Sequence, residues 1–323
     1  MLVPFFVARP RYVRRHFRGR ICFSVISWIG CYQQMYHSRM PREWHIVGQN
    51  ISLGGRTLIM GVLNVTPDSF SDGAQFLNLD QAIKHAEQMV AEGADMIDVG
   101  GESTRPGATK VEPKEEVSRV IPVIAELAKR LPVPISVDTT KSLVATAALN
   151  AGAAIINDVS ALRFDFHVAD VAAKAGAGLV LMHSRGAPGT MHGLPPVGNI
   201  LQEVTTSLRA SILKAEERGV NRASIVIDPG IGFGKTQEQN LELIANLDQI
   251  AADLAGFPIL IGTSRKSFIG KVLNGAPVTE RLHGTMASVS AAVLHGANIV
   301  RVHDVKAAVE TVHMVDAIRA AVK

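Results

Sequence analysis

Short apolar runs alternate with longer amphipathic stretches from residue 57 to the C-terminal end of the chain. The short runs are rich in Val, Ile and Leu and are apolar throughout, not at every second position. Continuous apolar strands of this kind are typical of a parallel sheet that is covered on both faces. The predicted strands are 57–63, 95–99, 134–137, 154–156, 178–182, 224–227, 258–261 and 298–302.

The stretches between the strands predict helices, several of which carry start and stop signals. Asp80 and Pro113 stand where helices are expected to begin, and glycine closes others, as in "AEGAD" and "NAGAA". The predicted helices are 80–92, 114–130, 141–151, 167–175, 200–218, 237–254, 285–295 and 305–321. Eight strand–helix units predict a TIM (β/α)8 barrel that forms a single domain over residues 47–323. A doubly wound open sheet is the alternative, but no Gly-x-Gly-x-x-Gly follows the first strand.

The first 40 residues differ in composition from the rest of the chain. They contain seven arginines, no acidic residue, and both cysteines, Cys22 and Cys31. The whole chain has 33 Lys and Arg residues and 29 Asp and Glu residues. Once these seven arginines are set aside, acidic residues outnumber basic ones, so nucleic acid is not a predicted partner. We expect residues 1–46 to be a disordered extension outside the fold: a targeting peptide, a surface basic arm that binds phosphate-rich partners, or sequence upstream of a start at Met35 or Met40.

Polar side chains follow nearly every predicted strand, and the carboxyl ends of barrel strands meet at one rim. In chain order these residues are Asn64, Asp98, Glu102, Asp138, Asn157, His183, Asp228, Lys266, Arg301 and His303. Helix capping would explain a single aspartate in such a place, and packing readily explains His183, but a whole rim favours a binding site. The carboxylate and amide groups suit a flat heterocycle with several N–H donors, and Arg301 and His303 with Asn64 suit an anion. A metal site built from a His/Asp cluster is only weakly indicated, because no HxH or HExxH spacing occurs.

Three loops stand out by composition. "NVTPDSFSDGAQF" and "GGESTRPGATKVEP" are long and polar, as mobile lids or plain exposed connections would be. "DPGIGFGK" is rich in glycine but lacks the P-loop spacing, and it predicts a tight turn that brings the backbone close to a flat ligand. No role is assigned to "HSRGAPGTMHGLPPVG" at residues 183–198.

Seven motifs then occur in order: "IMGVLNVTPDSFSDG", "IDVGGESTRPGA", "ISVDT", "INDVS", "IDPGIGFGK", "GTSRKSFIG" and "VRVHDV". Together they resemble the dihydropteroate synthases. The resemblance implies a TIM barrel, Mg²⁺ as cofactor, a homodimer and a cytoplasmic location. It also implies a transferase reaction of folate biosynthesis, in which the amine of 4-aminobenzoate displaces diphosphate from (7,8-dihydropterin-6-yl)methyl diphosphate to give 7,8-dihydropteroate. No run of about 18 uninterrupted apolar residues occurs, so no membrane-spanning helix and no membrane partner are expected.

The resemblance also implies which residues bind each substrate. Those for the pterin are Asp138, Asn157, Met182, Asp228, Phe233 and Lys266. Those for 4-aminobenzoate are Phe70, Thr104, Arg105, Pro106 and Ser267. Those for diphosphate are Asn64, Arg301 and His303, with Asn64 also a ligand of Mg²⁺. The residues implied to act in catalysis are Asp68, Asp228, Lys266 and Arg301.

Two other functions are compatible with a pterin-binding barrel. One is a pterin-dependent methyltransferase, which would need neither "GTSRKSFIG" nor the anion site formed by Arg301 and His303. The other is an inactive pterin-binding paralogue, which predicts damage in the first two loops or in the anion site. All of these motifs are present in the sequence, which favours the synthase.

Overall fold

The computed structural model describes residues 42–65, 75–103, 111–186, 190–254 and 256–321. Within them a short antiparallel hairpin precedes eight parallel strands. The strands are β1 (Arg42–Ile46), β2 (Gln49–Leu53), β3 (Leu58–Asn64), β4 (Met96–Gly100), β5 (Ile135–Asp138), β6 (Ile155–Asp158), β7 (Gly178–Met182), β8 (Ile225–Asp228), β9 (Leu260–Ile261) and β10 (Ile299–Val302). The parallel strands run in the order β8-β7-β6-β5-β4-β3-β10-β9, and Ile227 N donates to Pro258 O (3.0 Å) where β8 meets the start of β9. The predicted TIM barrel is confirmed.

Helices connect the strands around the outside of the barrel. They are α1 (Gln75–Ala91), α2 (Pro113–Arg130), α3 (Ser142–Asn150), α4 (His167–Ala175), α5 (Ile200–Glu217), α6 (Gln237–Ala245), α7 (Leu247–Asp253), α8 (Ser267–Val272), α9 (Leu282–Leu294) and α10 (Val305–Ala320). The predicted helix 237–254 is divided at Asn246, whose backbone leaves the helical region while its side chain donates to Glu242 O (2.7 Å). Helix α8 was not predicted, because six residues are too few to show a helical period. Across the described residues, no helix combines the length and apolar character needed to cross a membrane.

The β1–β2 hairpin packs against the apolar interior of the barrel. Trp44 is completely buried, and its indole Nε1 donates to Ser224 O (2.9 Å) just before β8. A Cβ on Gly178 would lie 2.7 Å from Ile46 and 3.0 Å from the Trp44 ring, so glycine allows the close approach at the start of β7. The fold therefore begins no later than Arg42, although the sequence predicted an extension up to residue 46. Residues 1–41 lie outside the described residues.

Alternation along the strands separates an apolar layer of the barrel interior from a polar one. The hairpin and the barrel strands share one buried cluster, which includes Trp44, Leu53, Met60, Met96, Ile155, Val180, Val226, Leu260 and Ile299. Side chains two residues apart on a strand point to the same face. Two residues beyond five of these positions stand Asp98, Asn157, Met182, Asp228 and Arg301. The polar groups of the rim therefore form a polar layer directly above this apolar cluster, which we call the apolar floor.

The hairpin gives a prediction about truncation. A chain that starts at Met40 keeps Trp44 and Ile46 and is expected to unfold at the temperature of the full chain. A chain that starts at Val47 loses both side chains and is expected to be less stable by about 3–5 kcal/mol, the usual cost of removing a large buried aromatic side chain. Thermal unfolding followed by circular dichroism compares the three chains, with Trp44→Ala in the full chain as the matched point variant. Equal unfolding temperatures for the two truncated chains would contradict the prediction.

Candidate active site

A single guanidinium joins two carboxylates in the polar layer. Arg301 on β10 donates from Nε to Asp98 Oδ2 (2.6 Å) and from Nη2 to Asp138 Oδ2 (2.8 Å). Asp98 is completely buried on β4, and its Oδ2 also accepts from Asn157 Nδ2 (2.9 Å). The Asn157 amide nitrogen donates to Asp98, and its amide oxygen can accept a hydrogen bond from a ligand. The sequence placed Asp98 on the rim without a role, since a buried carboxylate shared by two site residues leaves no local signal.

Burial sets the electrostatics of this network. It raises the pKa of Asp138 to about 7, Arg301 opposes the rise, and the Asp98 carboxylate adds to it. Burial by itself lowers the pKa of Arg301. The carboxylates of Asp98 and Asp138 raise it by more, so the pKa of Arg301 lies above its usual value. Asp98 Oδ1 is buried without a hydrogen-bond partner among the described residues. Two carboxyl groups facing one cation suit a ligand that brings further N–H donors.

Asp228 and Lys266 form the second part of the polar layer. Asp228 ends β8 almost completely buried, and its Oδ1 accepts from Gly230 N (2.7 Å). Lys266 immediately precedes α8; its ammonium donates to Ile231 O and lies 4.7 Å from the centre of the Phe233 ring. Burial raises the pKa of Asp228, with Lys266 opposing, and lowers that of Lys266 to about 8, with Asp228 opposing. Donor and acceptor thus face the same interior beside an aromatic ring.

The glycine-rich turn after β8 brings the backbone close to its neighbours. Gly230 and Gly232 have φ of +69° and +86°, in the region that favours glycine. A Cβ on Gly230 would lie 1.7 Å from His183 O, and one on Gly232 would lie 3.0 Å from Lys266 Cδ. The sequence predicted that this turn would approach a flat ligand. In the structure it packs directly on the end of β7 and on the Lys266 side chain.

The groups predicted to bind an anion lie on β3 and at the end of β10. Asn64 ends β3 with an exposed side chain, while His303 follows β10 and its Nδ1 pairs with Ser264 Oγ (3.0 Å). A Cβ on Gly100 would lie 3.9 Å from Asn64 Oδ1 and 3.8 Å from Asp138 Oδ2, so both side chains border the same glycine at the end of β4. In the part of the chain that the structure describes, no group of three or more His, Cys, Asp or Glu side chains could hold a metal ion.

The structure brings most of the remaining predicted residues to the same rim. Met182 is buried at the end of β7, in register with Asp228, and Ser267 is the exposed first residue of α8. His183 is buried and packed, as the sequence favoured; burial and then Lys235 lower its pKa to about 2. The predicted residues that lie outside the described residues are Asp68, Phe70, Thr104, Arg105 and Pro106.

Comparison with known proteins gives consistent results. The family described as pterin binding enzyme matches residues 60–303. The chain is 47% identical to a dihydropteroate synthase of Synechocystis, over 84% of this chain and 94% of that protein. Among solved structures it is similar to the dihydropteroate synthase of Clostridium difficile in the presence of pteroic acid (48% identity, TM-score 0.77, 82% of this chain and 98% of that one). It is also similar to that of Burkholderia cenocepacia complexed with 7,8-dihydropteroate (41% identity, TM-score 0.77, 87% and 98%).

Proposed function

Since the chain belongs to the dihydropteroate synthase family of pterin-binding enzymes, we propose that it condenses (7,8-dihydropterin-6-yl)methyl diphosphate with 4-aminobenzoate to give 7,8-dihydropteroate and diphosphate. The observation that carries the proposal is the polar layer on the apolar floor. Asp138, Asn157 and Asp228 offer acceptors to the N–H edge of a pterin, and Lys266 offers a donor to its carbonyl oxygen. Met182 and Phe233 supply apolar surface for the ring.

The reaction exchanges one bond at the pterin methylene carbon. The bond from this carbon to the diphosphate oxygen breaks, its electron pair leaves with diphosphate, and the bond to the amine nitrogen forms. The methylene carbon becomes electron-poor in the transition state, so a carboxylate at the ring N–H edge helps to stabilise it. Asp228 is the group proposed for this role. The aromatic amine is neutral near pH 7, so it attacks without a strong base and releases its proton afterwards.

The departing diphosphate needs positive charge and hydrogen-bond donors. Arg301 keeps its charge because two carboxylates raise its pKa, and His303 lies just beyond it along the chain. We propose that these two residues and Asn64 bind the diphosphate. Mg²⁺ is proposed as the cofactor, held by the amide oxygen of Asn64. This ion usually retains several waters and binds substrate phosphates with only one or two protein oxygens, so Asn64 fits the requirement. When bound, it would neutralise charge on the leaving group.

The site for 4-aminobenzoate is proposed at Ser267, next to Lys266 at the start of α8. Phe70, Thr104, Arg105 and Pro106 remain predicted contacts of this substrate, and Asp68 remains a predicted catalytic residue. A cytoplasmic location also stays a prediction.

A turnover assay tests the proposed function. The purified chain with MgCl₂, the pterin diphosphate and 4-aminobenzoate is expected to form dihydropteroate and diphosphate in equal amounts, measured by liquid chromatography with mass detection. Omitting 4-aminobenzoate is the control and should abolish the pterin product. Pterin binding without turnover would instead identify an inactive paralogue, and methyl transfer from methyltetrahydrofolate would identify the methyltransferase.

We further propose that the chain forms a homodimer through one apolar surface of its outer helices. Exposed large apolar side chains occur on or directly after α6, α8, α9 and α10, and these helices adjoin one another: α6 contacts both α8 and α9, and α9 contacts α10. These residues are Leu241, Val272, Leu273, Leu282, Leu294, Met314 and Ile318. Single apolar residues are common on surfaces, but their number on these adjoining helices favours an interface.

The homodimer gives a prediction about mass in solution. Sedimentation equilibrium is expected to give twice the mass of the chain, and Met314→Glu is expected to shift the protein towards the monomer. Leu213→Glu on α5, which replaces another exposed apolar residue outside this group of helices, should not. A monomeric unaltered chain at micromolar concentration would refute the dimer.

A further inference from the structure

Lys235 is a partly buried lysine to which neither the sequence nor the proposed reaction gives a role. It follows the glycine-rich turn and stands directly before Thr236, the residue that caps α6. Its ammonium donates to Gly230 O (2.7 Å), Phe233 O (3.2 Å) and His183 O (3.3 Å). Three carbonyl acceptors match the three N–H donors of an ammonium group, whereas a neutral amine has only two.

Keeping a cation in this place is unfavourable. Burial lowers the pKa of Lys235 well below its usual range, Asp228 opposes this, and the positive charges of Lys266, Arg185 and Arg163 add to it. The ammonium is hydrogen-bonded by backbone carbonyls of two loops, the one after β7 and the one after β8. An apolar side chain could fill the same space without the free-energy cost of burying a charge. We therefore ask which groups the Lys235 ammonium stabilises.

The turn held by Lys235 contacts the Lys266 side chain at three points. Ile231 O accepts a hydrogen bond from that ammonium, the Phe233 ring lies beside it, and the backbone at Gly232 packs against the Lys266 stem. Lys235 binds the two ends of this segment, at Gly230 and Phe233, and fastens both to His183 at the end of β7. Movement of the turn would therefore displace the group that faces the pterin carbonyl oxygen.

We propose that Lys235 is a positioning residue for the pterin site: its ammonium fixes the 230–234 turn and, through it, the ammonium of Lys266. The proposal rests on the proposed function for the identity of the ligand. It does not involve the residues proposed to bind diphosphate, which are Asn64 on β3, Arg301 on β10 and His303 after β10. The hydrogen bonds of the Lys235 ammonium go to Gly230, Phe233 and His183 instead.

Binding measurements on Lys235→Ala test the proposal. The dissociation constant of 6-hydroxymethylpterin, measured by calorimetry, is expected to rise at least tenfold, while that of diphosphate with Mg²⁺ stays within twofold. Propylammonium chloride replaces the atoms that the substitution removes and should restore much of the pterin affinity. Tetramethylammonium chloride carries the same charge without an N–H donor and should not.

Lys214→Ala on α5 is the matched control, because this lysine also donates to a backbone carbonyl, Leu162 O (3.4 Å). It should bind pterin like the unaltered chain, with or without propylammonium. Unchanged pterin affinity in Lys235→Ala, or equal losses for pterin and diphosphate, would overturn the proposal. Rescue by both salts would overturn the role of the hydrogen bonds. Failure of the unaltered chain to bind the pterin would overturn the proposed function, and this proposal with it.

Discussion

Asp228→Asn is expected to weaken the binding of a pterin ligand by about 2–4 kcal/mol, because a buried, charged hydrogen-bond partner is lost. Asparagine has nearly the same shape, but it replaces one acceptor oxygen with an NH₂ donor that would face the donors of the pterin. It also removes the negative charge that supports Lys266 in the interior. Calorimetry with 6-hydroxymethylpterin measures the effect.

The same variant should change the pH dependence of pterin binding. Lys266 has a pKa of about 8, so affinity in the unaltered chain is expected to fall as the pH rises through 8 and the ammonium loses its proton. Asp228 raises the pKa of Lys266, and without that carboxylate the pKa falls further, so the loss of affinity should begin at a lower pH. Lys266→Met has no ammonium to titrate and should bind weakly without this alkaline decline. An unchanged alkaline decline in Lys266→Met would assign it to another group.

Asp165→Asn provides the control for both measurements. Asp165 is also an aspartate in a loop after a barrel strand, but its Oδ2 accepts from Ser142 N (2.8 Å) at the start of α3. It lies outside the polar layer, so the substitution should leave pterin affinity and its pH dependence unchanged. Near-normal pterin affinity in Asp228→Asn would contradict the proposed position of the pterin.

The barrel could be predicted because its signals are local. An apolar run identifies each strand wherever it packs, and glycine marks where the preceding helix stops, so the predicted strand 178–182 matches β7 residue for residue. The β1–β2 hairpin was missed because "REWHI" alternates over only five residues, and its main contacts are with residues far along the chain. Trp44 donates a hydrogen bond to Ser224 O, and no local sequence pattern near either residue predicts that contact.

The site was predictable as a set of residues but not as a network. The end of a strand indicates which residues reach the rim, whereas the partner of each side chain depends on how the barrel closes. The sequence assigned Arg301 to diphosphate and Asp138 to the pterin, as if these groups were separate. Because β10 pairs with β3, β3 with β4 and β4 with β5, the guanidinium of Arg301 also reaches Asp98 and Asp138. Arg301, which is proposed to bind the departing diphosphate, therefore also pairs with two carboxylates in the polar layer.

Arg301→Met is accordingly expected to affect both stability and turnover. It leaves the completely buried Asp98 without its cation, and breaking a buried ion pair on one side costs about 3–5 kcal/mol of unfolding free energy. It also removes positive charge from the departing diphosphate, for which a loss of about 10²–10³ in kcat is usual when one stabilising donor is removed. Urea unfolding measures the first effect and steady-state kinetics the second.

Two further variants separate these effects. Arg218→Met removes an arginine from a surface pair with Asp170, and because exposed ion pairs contribute little it should leave the unfolding midpoint nearly unchanged. Asp98→Asn combined with Arg301→Met removes the completely buried one of the two carboxylates that lose their partner, and it should recover much of the stability while turnover stays low. If the double variant regained turnover, the positive charge of Arg301 would serve only to neutralise Asp98. If Arg301→Met were as stable as Arg218→Met, the carboxyl network would not be charged in the folded protein.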